Sequence, residues 1–234
     1  PTLLLDDQRF VKTKMFNNPN YLGDPINIMR IFNDKFVDEV CILNITQNSK
    51  KINFDYLQKV FSECFLPISY GGLINNIQDV RNIFKIGADK IIFSTNLFKN
   101  KNLVIKSINE IGSQGVVGCI NLIEKDNKYL IFLPLTNELL EIKSVEDYLL
   151  ELINIGLGEV IINFVNRDGM RTGYDCSFIK KISNIIKIPL IVLGGANTKK
   201  DFHQAFQAGA NAVAASSYFV YLGKRDAVML SYNK

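Results

Sequence analysis

Short runs of β-branched and aromatic residues alternate along this chain with longer stretches in which apolar residues recur every three or four positions. That alternation is the signature of βα units feeding a parallel sheet. Eight pairs are legible. Strands are predicted over Thr2–Leu5, Glu39–Ile45, Pro67–Tyr70, Lys90–Phe93, Val116–Leu122, Glu159–Asn163, Leu190–Leu193 and Ala212–Ala215. The helices begin near Pro25, Asn53, Asn76, Asn102, Ser144, Ser177, Thr198 and Lys224. Asp24 supplies a capping carboxylate before Pro25, and Asn197-Thr198 caps the seventh helix. A hairpin is expected after strand five, turning at Glu124–Lys128 into Tyr129–Leu133. Pro1-Thr2-Leu3-Leu4-Leu5 reads as a strand entered midway, so native residues are expected before Pro1.

The pattern repeats. Pro67-Ile-Ser-Tyr-Gly71-Gly72, Asp79, Gly87-Ala88-Asp89 and Ser94 recur just over half a chain later as Pro189-Leu-Ile-Val-Leu-Gly194-Gly195, Asp201, Gly209-Ala210-Asn211 and Ser216. Glu39-Val40 is echoed by Glu159-Val160. The expectation is one (β/α)8 TIM barrel over residues 1–234, two-fold duplicated, with halves of about 1–113 and 114–234.

Composition narrows the chemistry. The 234 residues are 47% hydrophobic and 21% charged, enough for a large core. A net charge of +4 from scattered Lys and Arg indicates neither a nucleic-acid partner nor a membrane-binding patch, and leaves anionic small molecules as natural ligands. Cys41, Cys64, Cys119 and Cys176 lie far apart, which matches neither a zinc site nor a disulfide framework and suits a reducing cytoplasm. The only histidine, His203, falls on the seventh helix beside Gln204, so a Ser-His or Cys-His nucleophile is excluded within this chain. Neither a metal nor an organic cofactor is implied.

Each half carries a Gly-Gly pair after one strand and a hydroxyl after the next. In an α/β barrel those loops lie at the C-terminal face, where backbone amides bind phosphate and a side chain would keep the anion away. Gly71, Gly72 and Ser94 form one candidate phosphate site; Gly194, Gly195, Ser216 and Ser217 form the other. Two such sites suit a ligand phosphorylated at both ends. Asp6, Asp7 and Asp168 are candidates for proton transfer, with Arg9 and Lys12 as anion partners. Asp168, in Asn166-Arg167-Asp168-Gly169, leads; the alternative is a carboxylate that holds a glycine turn.

These residues resemble the HisF family, the cyclase subunit of imidazole glycerol phosphate synthase. The similarity runs from Pro1 to about Tyr221 through Arg9-Phe-Val-Lys12, Gly23-Asp24-Pro25, Gly87-Ala88-Asp89-Lys90, Gly112-Ser-Gln114, Asn166-Arg-Asp-Gly169 with Gly173-Tyr-Asp175, Gly194-Gly195 and Ala214-Ala-Ser-Ser217. The resemblance implies a cytoplasmic barrel in a heterodimer with a HisH-like glutaminase, whose ammonia crosses the barrel to a bis-phosphorylated substrate. Leu4 and Asn121 stand where the family has its two catalytic aspartates. A leucine moves no proton and a carboxamide has no useful pKa near neutrality, so about 10²–10⁴-fold of acid–base help per group is lost. Glu39, Lys90 and Glu159 match three of the four charges of the family's ammonia gate, and Asp89 and Gln114 match positions on or near its glutaminase-facing surface.

Loss at one face and retention at the other is similar to the WbuZ-type paralogues of glycosyl amidation. The similarity includes Leu3-Leu4-Leu5, Val11-Lys12-Thr13 and Tyr21–Ile28. Those proteins accompany a glutaminase and an N-acetyl sugar amidotransferase in surface-polysaccharide or flagellin-sugar pathways. Three readings stay open: an ammonia-delivering subunit for sugar amidation, a true histidine-pathway cyclase in which Asp168 or Asp6 moves protons, and a phosphosugar-binding scaffold.

Overall fold

The structure is a computed structural model and describes residues 1–47, 49, 51–126, 128–142, 144–223 and 225–232. The barrel strands are β1 (Thr2–Asp6), β2 (Val40–Asn44), β3 (Ile68–Gly71), β4 (Lys90–Phe93), β5 (Val116–Lys125), β6 (Glu159–Phe164), β7 (Leu190–Leu193) and β8 (Ala212–Ala214). Each pairs in parallel with the next. The ring closes where the Thr2 N–H donates to the Ala215 carbonyl at 2.8 Å, joining β8 to β1. The expected (β/α)8 barrel is the fold.

Helices α1 (Pro25–Asp34), α2 (Phe54–Phe61), α3 (Ile77–Lys85), α4 (Lys101–Ile111), α5 (Val145–Asn154), α6 (Cys176–Ser183), α7 (Lys199–Gln207) and α8 (Ser217–Val220) follow the strands. Most begin within a residue of the predicted positions because the caps were legible: Asp24 accepts from the Asn27 N–H, and Asn53, Asn76, Ser144 and Asp175 cap their helices in the same way. The eighth is the exception. Lys224, where it was expected, lies outside the described residues, and α8 instead starts directly after β8. Beyond it, Tyr221–Leu222 pairs antiparallel with Ala227–Val228 around a turn with left-handed Gly223 (φ 72°) and Asp226 (φ 53°).

Strands buried on both faces split the core in two. Alternate side chains point outward, where Leu3, Leu5, Phe10 and Tyr70 pack among the helix faces. The others fill the lumen: Cys41, Ile92, Val117, Cys119, Ile161 and Leu193, with Leu43, Ile191 and Ala214 around them. The hairpin expected after β5 is present as Lys128–Leu133, with Glu138–Leu140 added at its edge. A second ribbon was not foreseen. Arg9–Lys14 folds back on β1, and Asn17–Gly23 folds back on Arg9–Lys14.

The sequence repeat has a physical counterpart. The Asp89 carboxylate accepts the Ile68 N–H at 2.9 Å, and the Asn211 side-chain oxygen accepts the Leu190 N–H at 2.9 Å. Asp79 takes the Asn75 and Asn76 N–H groups as Asp201 takes those of Asn197 and Thr198. Equivalent residues brace equivalent turns in the two halves.

Candidate functional site

The C-terminal mouth is built by the strand ends. On the β5–β6 side, Asn163 Nδ2 donates to Asn121 Oδ1 at 3.0 Å, and Asn121 Nδ2 donates to Ser94 Oγ at 2.9 Å. On the β1–β2 side, Leu4 stands level with Leu43 and faces the lumen beside them. Asn44 donates to the Tyr70 hydroxyl at 3.0 Å and accepts the Thr46 N–H. The mouth is therefore amide-lined on one side and aliphatic on the other, with no carboxylate among Leu4, Asn44, Asn121 and Asn163.

Asp168, the leading acid–base candidate, is committed elsewhere. Its Oδ1 accepts from Lys12 Nζ at 2.8 Å and its Oδ2 from Thr13 Oγ1 at 3.2 Å, while its carbonyl accepts the Met15 N–H at 2.9 Å. Lys12 is only 2% exposed. Burial, opposed by Asp168, draws the Lys12 pKa below the ordinary lysine value. The two residues clamp the loop after β6 to the ribbon behind β1. Lys12, expected as a phosphate ligand, spends its charge in that clamp. Asp6 sits opposite Arg9 where the ribbon turns, Asp7 accepts nothing from the mouth but donates its N–H to Thr46 Oγ1, and both Asp7 and Arg9 are exposed.

The glycine loops come together as expected in the second half. Gly194, Gly195, Ser216 and Ser217 line one narrow cleft with Asp168 and Gly169. The reason for the glycines differs from the expectation. A Cβ on Gly195 (φ 116°) would lie 2.2 Å from the Gly173 carbonyl oxygen, and one on Gly72 (φ 101°) would lie 2.1 Å from that of Asn44. Close chain passage thus already demands glycine at both positions. Three buried polar atoms around the mouth lack a hydrogen-bond partner: Thr95 Oγ1 in the first half, Ser216 Oγ in the second and Asn163 Oδ1 between them. Unpaired buried polar atoms are costly, so each of the three has hydrogen-bonding capacity that no described residue uses.

At the opposite end, Lys90 at the start of β4 donates to Glu39 Oε2 at 2.8 Å, just before β2, and to Glu159 Oε1 and Oε2 at 2.9 and 3.0 Å at the start of β6. Burial opposes the ammonium, yet the bonds to Glu39 and then Glu159 outweigh it and raise the Lys90 pKa. Gln114 is exposed before β5, and Asp89 is exposed beside Lys90 with one oxygen engaged at Ile68. Between the ends the lumen is lined by apolar side chains, and its two thiols are held protonated. Burial pushes the Cys41 thiol up to about 11 and Cys119 higher still.

Two exposed aromatic residues on loops at the N-terminal ends of the strands carry no signal in the sequence. Phe36 and Phe65 precede β2 and β3 and are 75% and 90% exposed. Both are pinned to one residue at the end of α1: the Phe36 N–H donates to the Asn33 carbonyl, and the Phe65 N–H donates to Asn33 Oδ1 at 2.9 Å. Single apolar residues in αβ loops give no signal until folding puts them side by side. His203 lies exposed on α7. Among the described residues no group of three His, Cys, Asp or Glu side chains could hold a metal, and no helix is long and apolar enough to cross a membrane.

Fold and site together define a (β/α)8 barrel with twin glycine-rich loops at its mouth and an ion-pair lattice at its base. Residues 1–225 match the family described as histidine biosynthesis protein, and the chain belongs to that family. It is 36% identical to a protein of Leptospira borgpetersenii named "Putative imidazole glycerol phosphate synthase subunit HisF", over 99% of this chain and 93% of that one. A Pseudomonas aeruginosa protein named as the hisF2 subunit of that synthase is 36% identical over 99% and 94%. The imidazole glycerol phosphate synthase subunit HisF of Alkaliphilus metalliredigens is 33% identical over 94% and 89%. The HisF resemblance read from the sequence is thereby established.

Proposed function

We propose that this chain is a HisF-like synthase subunit that takes ammonia from a partner glutaminase at the Lys90 end and delivers it through the lumen to an acceptor at the mouth, for sugar amidation in surface-glycan biosynthesis. The observation that carries the reading is the contrast between the two ends. Glu39, Lys90 and Glu159 are joined in one ion-pair lattice, whereas at the mouth Leu4 and Asn121 carry no acid–base group and the Asp168 carboxylate is held by Lys12. Neutral ammonia suits an apolar lumen of Val117, Ile92 and Ile161, which excludes ammonium by the cost of desolvating a charge. Phe36 and Phe65, exposed on the loops that lead into β2 and β3 and both bonded to Asn33, are the anchors a partner surface would cover. The unpaired Thr95, Ser216 and Asn163 atoms support a phosphosugar acceptor at the mouth, since they have hydrogen-bonding capacity to spare. An N-acetyl sugar amidotransferase would complete the complex in the cytoplasm. A histidine-pathway cyclase gains no support from Asp168, whose carboxylate is tied to Lys12.

The decisive assay gives the purified chain ammonium and the formimino ribulose substrate of imidazole glycerol phosphate synthase, with and without its glutaminase. Product at ordinary cyclase rates overturns the proposal. Separately, replacing Phe36 and Phe65 with serine is expected to weaken glutaminase binding at least tenfold without lowering stability; unchanged binding removes them from the interface.

A further inference from the structure

A cavity of about 270 Å³ lies beside the mouth, between the ribbon behind β1, the loop after β6 and the hairpin that follows α8. Its walls carry Lys14, Asn20, Tyr21, Arg171, Tyr221 and Asp226. Gly169 and Ser217 line both this cavity and the Gly194–Gly195 cleft, so the two open side by side. Asp226 occupies the cationic wall. Its Oδ1 meets Arg171 Nη2 at 2.7 Å and its Oδ2 lies 3.7 Å from Lys14 Nζ.

The way Asp226 is held sets it apart from an ordinary surface ion pair. Both it and Arg171 adopt left-handed backbone, at φ 53° and 56°. Such conformations cost a non-glycine residue roughly 1 kcal/mol or more and persist where the surroundings enforce them. The supporting hairpin has only two residues per strand, and Leu222 and Val228 in it are half exposed, so little packing holds the turn down. The ion pairs of Asp226 with Arg171 and Lys14 link the turn to the cavity wall. Lys12, Lys14 and Arg171 face Asp168 and Asp226, which leaves one positive charge in excess among these described residues.

We propose that this cavity is a binding subsite for a small hydroxyl-rich ligand bearing one carboxylate, and that Asp226 is the resident group that ligand carboxylate displaces. Arg171 and Lys14 take the carboxylate, as they now take that of Asp226. Tyr21 and Tyr221 offer ring faces and Asn20 an amide for hydroxyls, with Arg171 already 5.8 Å above the Tyr221 ring. The volume suits one monosaccharide-sized group, at the small end of ligand pockets, which begin at roughly 300 Å³. A single excess charge matches a carboxylate better than a phosphate dianion. The subsite goes beyond the ammonia-delivery reading and stands or falls without it.

Calorimetry on the purified full chain, at low ionic strength and without any glutaminase, tests it with glucuronate, glucose and inorganic phosphate as probes. Asp226→Asn keeps the shape and removes the competing charge, so glucuronate is expected to bind about tenfold more tightly than to the unaltered chain. Glucose gains nothing, and Arg171→Met added to Asp226→Asn abolishes the gain. In the unaltered chain, high glucuronate should shift the Tyr21 and Tyr221 ring resonances in NMR, a readout independent of any substitution. No glucuronate gain, or no ring shifts, overturns the subsite. An equal gain for phosphate overturns the carboxylate assignment.

Discussion

Removing Asp168 strands an ammonium inside the protein. Asp168→Ala leaves Lys12, 2% exposed, with the Thr13 carbonyl as its remaining polar contact and also deprives Thr13 Oγ1 of an acceptor. Breaking a buried ion pair by deleting one partner costs about 3–5 kcal/mol, mainly because the survivor stays desolvated. A chain of this size loses about 2–4 °C of Tm per kcal/mol, so circular-dichroism melts should fall by about 6–20 °C. The pH dependence carries the sharper test. Burial already lowers the Lys12 pKa, and without the Asp168 carboxylate it drops further below the roughly 10.4 of the unfolded chain. Through that window the unfolded state binds more protons, so stability of the variant rises with pH. Melts at pH 6, 7.5 and 9 should show the deficit shrinking steadily toward alkaline pH. A deficit below about 1 kcal/mol, or one flat across this range, would refute the account of the clamp. Asp168→Asn, which preserves shape, should lose less.

Other substitutions probe the remaining parts. Lys90→Met leaves Glu39 and Glu159 facing each other; a loss of about 1 kcal/mol is expected near neutrality in chemical denaturation. Gly72→Ala and Gly195→Ala force a Cβ to about 2 Å from a carbonyl oxygen, so each should lower stability by more than about 2 kcal/mol in urea titrations, with no ligand needed to see it. Leu4→Asp with Asn121→Asp places a carboxylate at each of these two mouth positions; an ammonium-dependent cyclisation assay should show more activity than in the unaltered chain, and equal activity in both would contradict the reading of the mouth.

What the sequence made legible was whatever local chemistry determines. Caps such as Asp24, Asn53 and Asn76 fixed the helix starts, and β-branched runs bounded by glycine fixed the strands. The twin braces at Asp89 and Asn211 made the repeat visible. Long-range pairings stayed hidden. Nothing near Lys12 announces a partner at Asp168, which lies on the far side of the ring in sequence and contacts it only because the ribbon folds back. That ribbon was itself missed because Met15, Phe16 and Asn18 turn through left-handed backbone in a stretch with little alternation. Likewise the last helix, Ser217–Val220, starts directly after β8, where a four-residue helix leaves too short an apolar repeat to read from sequence. At the mouth, the amide chain from Asn121 through Ser94 and Asn163 is a property of strand register, which no local pattern announces.

The join between β8 and β1 is fastened by the shortest of the eight strands and the Thr2–Ala215 bond. Residues after α8 run back across that join: Met229 and Ser231 donate to the carbonyls of Val220 and Phe219, and the Tyr232 hydroxyl reaches the Asp38 carboxylate at 2.6 Å, on the approach to β2. Mechanically the barrel is a hoop with a buckle. Strain applied anywhere around the ring concentrates at its least-bonded segment, so thermal opening should start there, and the Thr2 amide should exchange with solvent ahead of those in β5 and β6. The strap that crosses the buckle continues from the hairpin carrying Asp226, which ties the state of the cavity beside the mouth to how firmly the whole ring is shut.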